Sequence, residues 1–213
     1  MSRLVAFSGK AQAGKSQAAK FLEQNGFEVV SFASAVKQEV SDFMAEYGVV
    51  FEERHLYGTI RDKEELLCFP YFRDVFPHLP EFLEFAHIHT GTDFTAYDFL
   101  FTPRSLLQWW GVMQRNQDVD YWVRQAEETI DILHDKGCDV VIDDCRFSNE
   151  ANMILANGGE LYRITRKDAP VIQGATHSSE TGLDEFTRFT GWIENDGNIG
   201  EFQAKVLDLI DEN

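Results

Sequence analysis

Eight residues near the start, Gly9-Lys10-Ala11-Gln12-Ala13-Gly14-Lys15-Ser16, constrain the fold of this chain more than any other stretch. They match G-x-x-x-x-G-K-[ST] at every fixed position. Before them, Arg3-Leu-Val-Ala-Phe-Ser8 is a short apolar run that reads as a buried strand. After them, Lys15 to about Gln24 reads as a helix with Ala18, Ala19 and Leu22 near one face, stopped by Asn25-Gly26. Phe27 to Phe32 is a second strand. Strand, glycine loop, helix and strand in this order open a parallel α/β sheet. The glycines let the backbone wrap until successive N–H groups and the helix N-terminus point at one anion, and a chance glycine turn capping a helix would not need these flanks. In such a phosphate loop Lys15 would reach β- and γ-phosphates and the Ser16 hydroxyl would bind Mg²⁺.

The chain has 213 residues, one large domain or one domain with a sizeable insertion. Its formal charge is −17, so a cationic stripe for a nucleic-acid polymer is not expected, because such affinity comes from Lys and Arg neutralising phosphates. The acidity is uneven. Residues 1–37 carry a net charge of +3, whereas residues 180–213 carry −7, so a small nucleotide gathered into one cationic pocket remains compatible with the composition. No apolar run approaches a membrane span, and Lys10 and Lys15 interrupt any signal-peptide h-region in Met1 to Leu22, so no membrane partner is expected and the cytoplasm is the expected compartment. Cys68, Cys138 and Cys145 are odd in number and form no C-x-x-C, which reads as free thiols.

The next buried-strand candidate is Cys138-Asp-Val-Val-Ile-Asp143. The intervening length exceeds a simple crossover helix and predicts an insertion over residues 38–135, with helical patches near 35–47, 61–67, 103–113 and 119–135. Residues 67–101 are rich in phenylalanine and hold His87-Ile-His89, which lacks a third ligand at metal-site spacing. Beyond Asp143 a helix from Asn149 to about Ala156, a strand over Glu160 to Thr165, a polar lid-like segment over 166–187, a strand near Phe189 to Ile193 and a helix from about Gly200 to Ile210 complete about five strands. Asp143-Asp144 ends the buried run Val140-Val-Ile142, where a carboxylate would hold a magnesium-bound water, and Asp144 is the expected one. The guanine-reading N-K-x-D is absent and Thr165-Arg-Lys-Asp168 resembles it only superficially. A compact sheet with one long insertion and an arginine-bearing lid segment points to a small-molecule kinase.

Beside the phosphate loop and Phe32-Ala-x-x-x-Lys37, four blocks follow in order: Thr102-Pro-Arg-Ser-Leu-Leu-Gln-Trp-Trp-Gly111 with Arg115 and Trp122, Val140-Val-Ile-Asp-Asp-Cys-Arg-Phe-Ser-Asn-Glu150, His177-Ser-Ser-Glu180 and Ile193-Glu-Asn-Asp-Gly197. Together these motifs resemble the bacteriophage-type deoxynucleoside monophosphate kinases, and for a phage-encoded chain the expected cytoplasm would be the host's. The match is poor over residues 67–101, and the paired Trp109-Trp110 is bulkier than the family pattern. The resemblance implies a three-layer phosphate-loop kinase fold, a single domain over 1–213, and transfer of the ATP γ-phosphoryl group to a deoxynucleoside monophosphate, with Mg²⁺ and a homodimer as further expectations.

On that resemblance, Lys15, Arg104, Asp144 and Arg146 are the expected catalytic residues. The loop from Gly9 to Ser16, with Gln17, Arg166 and Asn195, would bind ATP, and Ser16 and Asp144 (through water) would hold the metal. Lys37, Arg61, Arg104, Gln108, Trp109, Arg115, Arg146, His177 and Glu180 would bind the acceptor. Arginine suits phosphate because its fork binds bidentately. Other readings stand beside these: an Arg146–Glu150 ion pair, core packing for Trp109 or Trp110, a capping box around Ser178 to Glu180, and a turn role for Asn195. A dephospho-coenzyme A kinase and a non-catalytic ATP-binding module are the alternative functions.

Overall fold

The first strand is wholly buried, and everything that positions the phosphate loop follows from how it is flanked. In a computed structural model, residues 2–46, 48, 50–65, 67, 68, 80–82, 84, 85, 100–167 and 181–211 are described. They divide into a sheet unit, Met1–Ala33 with Trp122–Asn213, and a second unit, Ser34–Tyr121.

The sheet unit holds β1 (Leu4–Ser8), β2 (Phe27–Val30), β5 (Asp139–Ile142), β6 (Glu160–Thr165) and β7 (Gly191–Glu194) in the order β2-β5-β1-β6-β7. Every pairing is parallel. Alternate residues therefore feed opposite layers. Leu4, Ala6, Val140, Ile142 and Leu161 pack with Val123, Ala126 and Ile130 of α6 (Tyr121–Asp135) and with Ala151 and Ile154 of α7 (Ser148–Ala156). Val5, Phe7, Val141, Ile164 and Ile193 pack with Ala18, Ala19 and Leu22 of α1 (Lys15–Glu23) and with Phe202 and Val206 of α8 (Ile199–Asp211). This is the expected three-layer α/β fold with five parallel strands. Because both faces are covered, the β1 and β5 sequences read as continuous apolar runs rather than alternating ones.

The second unit contains most of α2 (Phe32–Glu46), then α3 (Glu53–Tyr57), α4 (Ile60–Lys63), a short antiparallel ladder of β3 (Leu67–Cys68) with β4 (Leu100–Phe101), and α5 (Pro103–Gln117). Val36, Val40 and Met44 are buried at four-residue spacing on α2. Thr102 caps α5 by accepting from the Ser105 N–H at 3.0 Å, with Pro103 at the first helical position. Glu39 accepts from Trp110 Nε1 at 2.8 Å, Gln114 Nε2 at 2.7 Å and the Tyr121 hydroxyl at 2.8 Å, so one carboxylate ties α2 to α5.

The insertion ends earlier than the expected 38–135. Val123, Ala126 and Ile130 bury their side chains in the core of the sheet unit, so α6 covers the sheet instead of extending the insertion. α2 also starts at Phe32, which the sequence reading assigned to the second strand. Among the described residues no helix is long and apolar enough to cross a membrane. His87 and His89, and most of segment 67–101, lie outside the described residues.

Candidate active site

In the strand order, β1 has β5 on one side and β6 on the other, and the chain leaves it toward β2, beyond β5. A loop after such a strand opens at a topological switch point, where the carboxyl ends of the strands leave a crevice. Residues 9–14 occupy that place, and Gly14 is the residue before α1, with no side chain capping the helix. The conformation depends on glycine at two positions. Gly9 has φ +150°, and a Cβ there would lie 2.4 Å from the Ile164 carbonyl oxygen of β6. Gly14 has φ +114°, and its Cβ would meet Asn195 Nδ2 at 2.5 Å and the Phe202 ring at 3.2 Å. Gln12 also takes a positive φ, 61°.

Lys15 opens α1 and turns its ammonium back into the loop, donating to the carbonyls of Gly9 at 2.7 Å and Lys10 at 2.9 Å. The Ser16 hydroxyl donates to Asp143 Oδ2 at 2.8 Å. Asn195 Nδ2 donates to the Ala13 carbonyl at 2.8 Å, while its own N–H donates to Thr165 O at 2.8 Å. Asn195, for which the sequence reading left ATP binding and a turn role open, therefore buttresses the loop from the end of β7.

The two adjacent carboxylates at the end of β5 divide their work, and Asp144 does not take the expected part. Asp144 is 8% exposed. Its Oδ1 accepts from the Phe32 N–H at 2.9 Å, and its Oδ2 accepts from the Ser31 hydroxyl at 2.8 Å and the Ala33 N–H at 2.9 Å. It caps the N-terminus of α2, where free N–H groups and the helix dipole favour an anion. Asp143, not Asp144, faces Ser16. Strand alternation accounts for the split: Val141 belongs to the layer of α1, so Asp143, two residues on, shares its side, and Asp144 follows Ile142 to the other.

Arg146 lies between β5 and α7 and is half-buried. Glu150 Oε2 accepts from the backbone N–H groups of Arg146 at 2.7 Å and Phe147 at 3.0 Å, so this carboxylate caps α7. Arg166 is exposed just past β6, and Lys167 next to it pairs with Asp196 at 3.0 Å. Lys10 donates to both oxygens of Asp184 at 2.6 Å. Burial and the neighbouring carboxylates Glu150 and Asp144 push the Cys145 thiol well up, which suits a buried, unreactive side chain.

Among the described residues, the remaining acceptor candidates lie in the second unit. Arg61, on α4, lines a cavity of about 630 Å³ with Arg54, Asp62, Glu64 and Glu65. Arg104, in the first turn of α5, reaches Glu64 at 3.4 Å, so that acid links it to the same wall. Arg54 pairs with Glu52 at 2.7 Å and with Glu65. Lys37 Nζ sits 4.2 Å from the centre of the Tyr57 ring. Gln108 is half-buried on α5, and Arg115 donates to the Gly111 carbonyl at 3.2 Å.

Of the two readings for Trp109, acceptor binding and core packing, the structure favours the second. At 4% exposure it is core, packed edge-on against Phe82 with ring centres 5.5 Å apart. His177 and Glu180 lie outside the described residues, as does most of the 166–187 segment.

Sequence reasoning missed Asp184 and Arg54, and of the pair Asp143-Asp144 it chose Asp144. Alternation along β5 carried the signal for Asp143, once the layer covered by α1 was known. For Arg54, the dense charge pattern from Glu52 to Glu65 is a weak local sign. Nothing local marks Asp184.

No family model matches the chain. A protein of Acanthamoeba polyphaga mimivirus, provisionally named a deoxynucleotide monophosphate kinase, is 25% identical over 223 residues, covering 98% of this chain and 96% of its own. The uncharacterized protein ORF77 of Ictalurid herpesvirus 1 (strain Auburn) is 31% identical over 137 residues, 60% of this chain and 59% of its own. Among solved structures, the dephospho-CoA kinase of Campylobacter jejuni superposes with a TM-score of 0.52 at 12% identity, covering 99% of this chain and 97% of its own. The fold is that of a phosphate-loop kinase.

Proposed function

We propose that this protein is an ATP-dependent phosphotransferase whose acceptor is a deoxynucleoside monophosphate. The observation that carries the reading is the phosphate loop in its sheet, with Lys15 turned into the loop and Ser16 Oγ 2.8 Å from Asp143. The mimivirus relative, alike over almost the whole chain, supports the acceptor class.

Lys15 holds its ammonium on two loop carbonyls and would exchange them for the β- and γ-phosphates of ATP. Magnesium takes oxygen ligands and keeps several waters, so the Ser16 hydroxyl and the Asp143 carboxylate fit it. These two residues would hold it, and when bound it would neutralise phosphate charge. The acceptor's phosphate oxygen is already anionic, so the protein needs to supply alignment and positive charge more than a base. Asn195 keeps the loop in shape through the Ala13 carbonyl. In the second unit, Arg54, Arg61 and Arg104 are the cations we assign to the acceptor's phosphate. Lys37, Gln108 and Arg115 belong to the same acceptor side, and Arg146 and Arg166 to the transferring phosphates.

The test is ADP formation by purified protein given MgATP and a panel of deoxynucleoside and ribonucleoside monophosphates, with dephospho-coenzyme A as a further acceptor because of the shared fold. Turnover with a deoxynucleotide, abolished by Lys15→Ala, is expected. Turnover with dephospho-coenzyme A alone would overturn the acceptor assignment. ATP binding without turnover on any acceptor would overturn the enzyme reading in favour of a binding module.

A further inference from the structure

Lys10 is the second residue of the phosphate loop, and the molecule gives it an acidic partner from a distant part of the chain. Its ammonium donates to both carboxylate oxygens of Asp184 at 2.6 Å. The two ends of this pair are held very differently. Asp184 Oδ1 also accepts from Arg163 Nη2 at 2.8 Å, and Arg163 Nη1 donates to the neighbouring Leu183 carbonyl at 2.8 Å. The Arg163 side chain is only 12% exposed, and its guanidinium lies over the Phe189 ring at 5.4 Å. Asp184 is thus fixed from behind by a nearly buried arginine rooted in β6. Lys10, by contrast, has a side chain 48% exposed on a flexible stem.

We propose that Asp184 sets the nucleotide affinity of the phosphate loop by competing with the polyphosphate for Lys10. The inference rests on the ATP-binding reading of the loop and deepens it. The Lys10 ammonium exchanges Asp184 for phosphate oxygens when a nucleoside triphosphate or diphosphate enters, and Arg163 stays on Asp184 and neutralises it after the exchange. Two features make this exchange feasible. An exposed ion pair is weak, so releasing Lys10 is easily offset by a polyphosphate. The second cation on Asp184 spares the incoming anion a bare carboxylate next to it. Lys15, by comparison, donates to carbonyls of the loop itself.

The experiment measures the Kd of ADP with Mg²⁺ by titration calorimetry at low ionic strength. It compares the native chain, Asp184→Asn, Lys10→Met, the double variant and Glu185→Gln, with melting curves to establish that each is folded. Asp184→Asn should tighten ADP about two- to fivefold, the range an exposed pair supports. Lys10→Met should weaken binding, and in that background Asp184→Asn should have little further effect. Glu185→Gln, an exposed neighbouring acid, controls for the general loss of negative charge.

Weaker binding by Asp184→Asn would overturn the proposal and make Asp184 a support for a productive Lys10. Equal tightening by Glu185→Gln, or undiminished tightening in the Lys10→Met background, would reduce the effect to overall charge and equally overturn it. If the native chain binds no ADP, the phosphate-loop reading itself fails, an outcome distinct from these.

Discussion

Replacing Asp144 by alanine should cost the fold far more than replacing Asp143, although it is Asp143 that faces the phosphate loop. The side chain is 8% exposed and serves three donors: the Phe32 N–H at 2.9 Å, the Ala33 N–H at 2.9 Å and the Ser31 hydroxyl at 2.8 Å. Ser31 can rotate its hydroxyl to another acceptor, but the two N–H groups are fixed by the first turn of α2. Each buried donor left without a partner costs about 1–3 kcal/mol, and loss of a helix cap by itself costs about 0.5–2 kcal/mol. Removing the carboxylate also removes the cost of desolvating it, which returns part of this sum.

A net loss of about 3 kcal/mol is expected, or a fall of about 6–12 °C in Tm for a chain of this size. Asp144→Asn retains one acceptor oxygen and should recover roughly half of that loss. Asp143→Asn should change stability by less than about 1 kcal/mol, since its carboxylate is only half-buried, and should instead weaken Mg²⁺-dependent ADP binding. Urea unfolding followed by circular dichroism, with magnesium-dependent ADP titrations, measures both quantities. A loss below about 1 kcal/mol for Asp144→Ala, or an equal loss for Asp143→Asn, would refute the division of labour between the two acids.

Three further outcomes follow from the same geometry. Gly9→Ala places a Cβ 2.4 Å from the Ile164 carbonyl, inside a sheet that cannot move away, so it should abolish ADP binding and lower stability by about 2 kcal/mol or more, read by calorimetry and melting. Asn195→Ala removes the bond to the Ala13 carbonyl and should raise the Kd for ADP several-fold, with a stability loss of about 1 kcal/mol. The Lys10 hydrogen bond, joined by that of Arg163, holds the Asp184 carboxyl below its ordinary value of 3.8. Its native pKa being depressed, its contribution to stability is complete above the unfolded carboxylate range and is lost as pH falls through the lower native value. A carboxyl-carbon NMR titration should show a midpoint below 3.8 that moves upward in Lys10→Met.

Local sequence made some of this legible and not the rest. The phosphate loop, α1 and the apolar strands could be placed because each depends on residues close together: glycines where the backbone turns left-handed, small and apolar side chains at helical spacing, continuous apolar runs where both faces of a strand are covered. The T-P-R start of α5 also carries its own cap. Trp109 was left between core and acceptor because an aromatic in an apolar helix has the same sequence whether it meets a ligand or Phe82. α6 was assigned to the insertion because an amphipathic helix does not state which layer its apolar face will join.

The sequence alone determined that this chain builds a parallel α/β sheet around a phosphate loop, since the loop's backbone geometry is written in eight consecutive residues. Tertiary structure decided which acid serves the loop and which caps α2, because neighbours in a chain point to opposite sides of a sheet. It also brought Asn195 to Ala13 and Asp184 to Lys10, contacts between residues 182 and 174 positions apart. Pairings at such separations depend on the order of strands in the sheet, which is settled only when the layers pack.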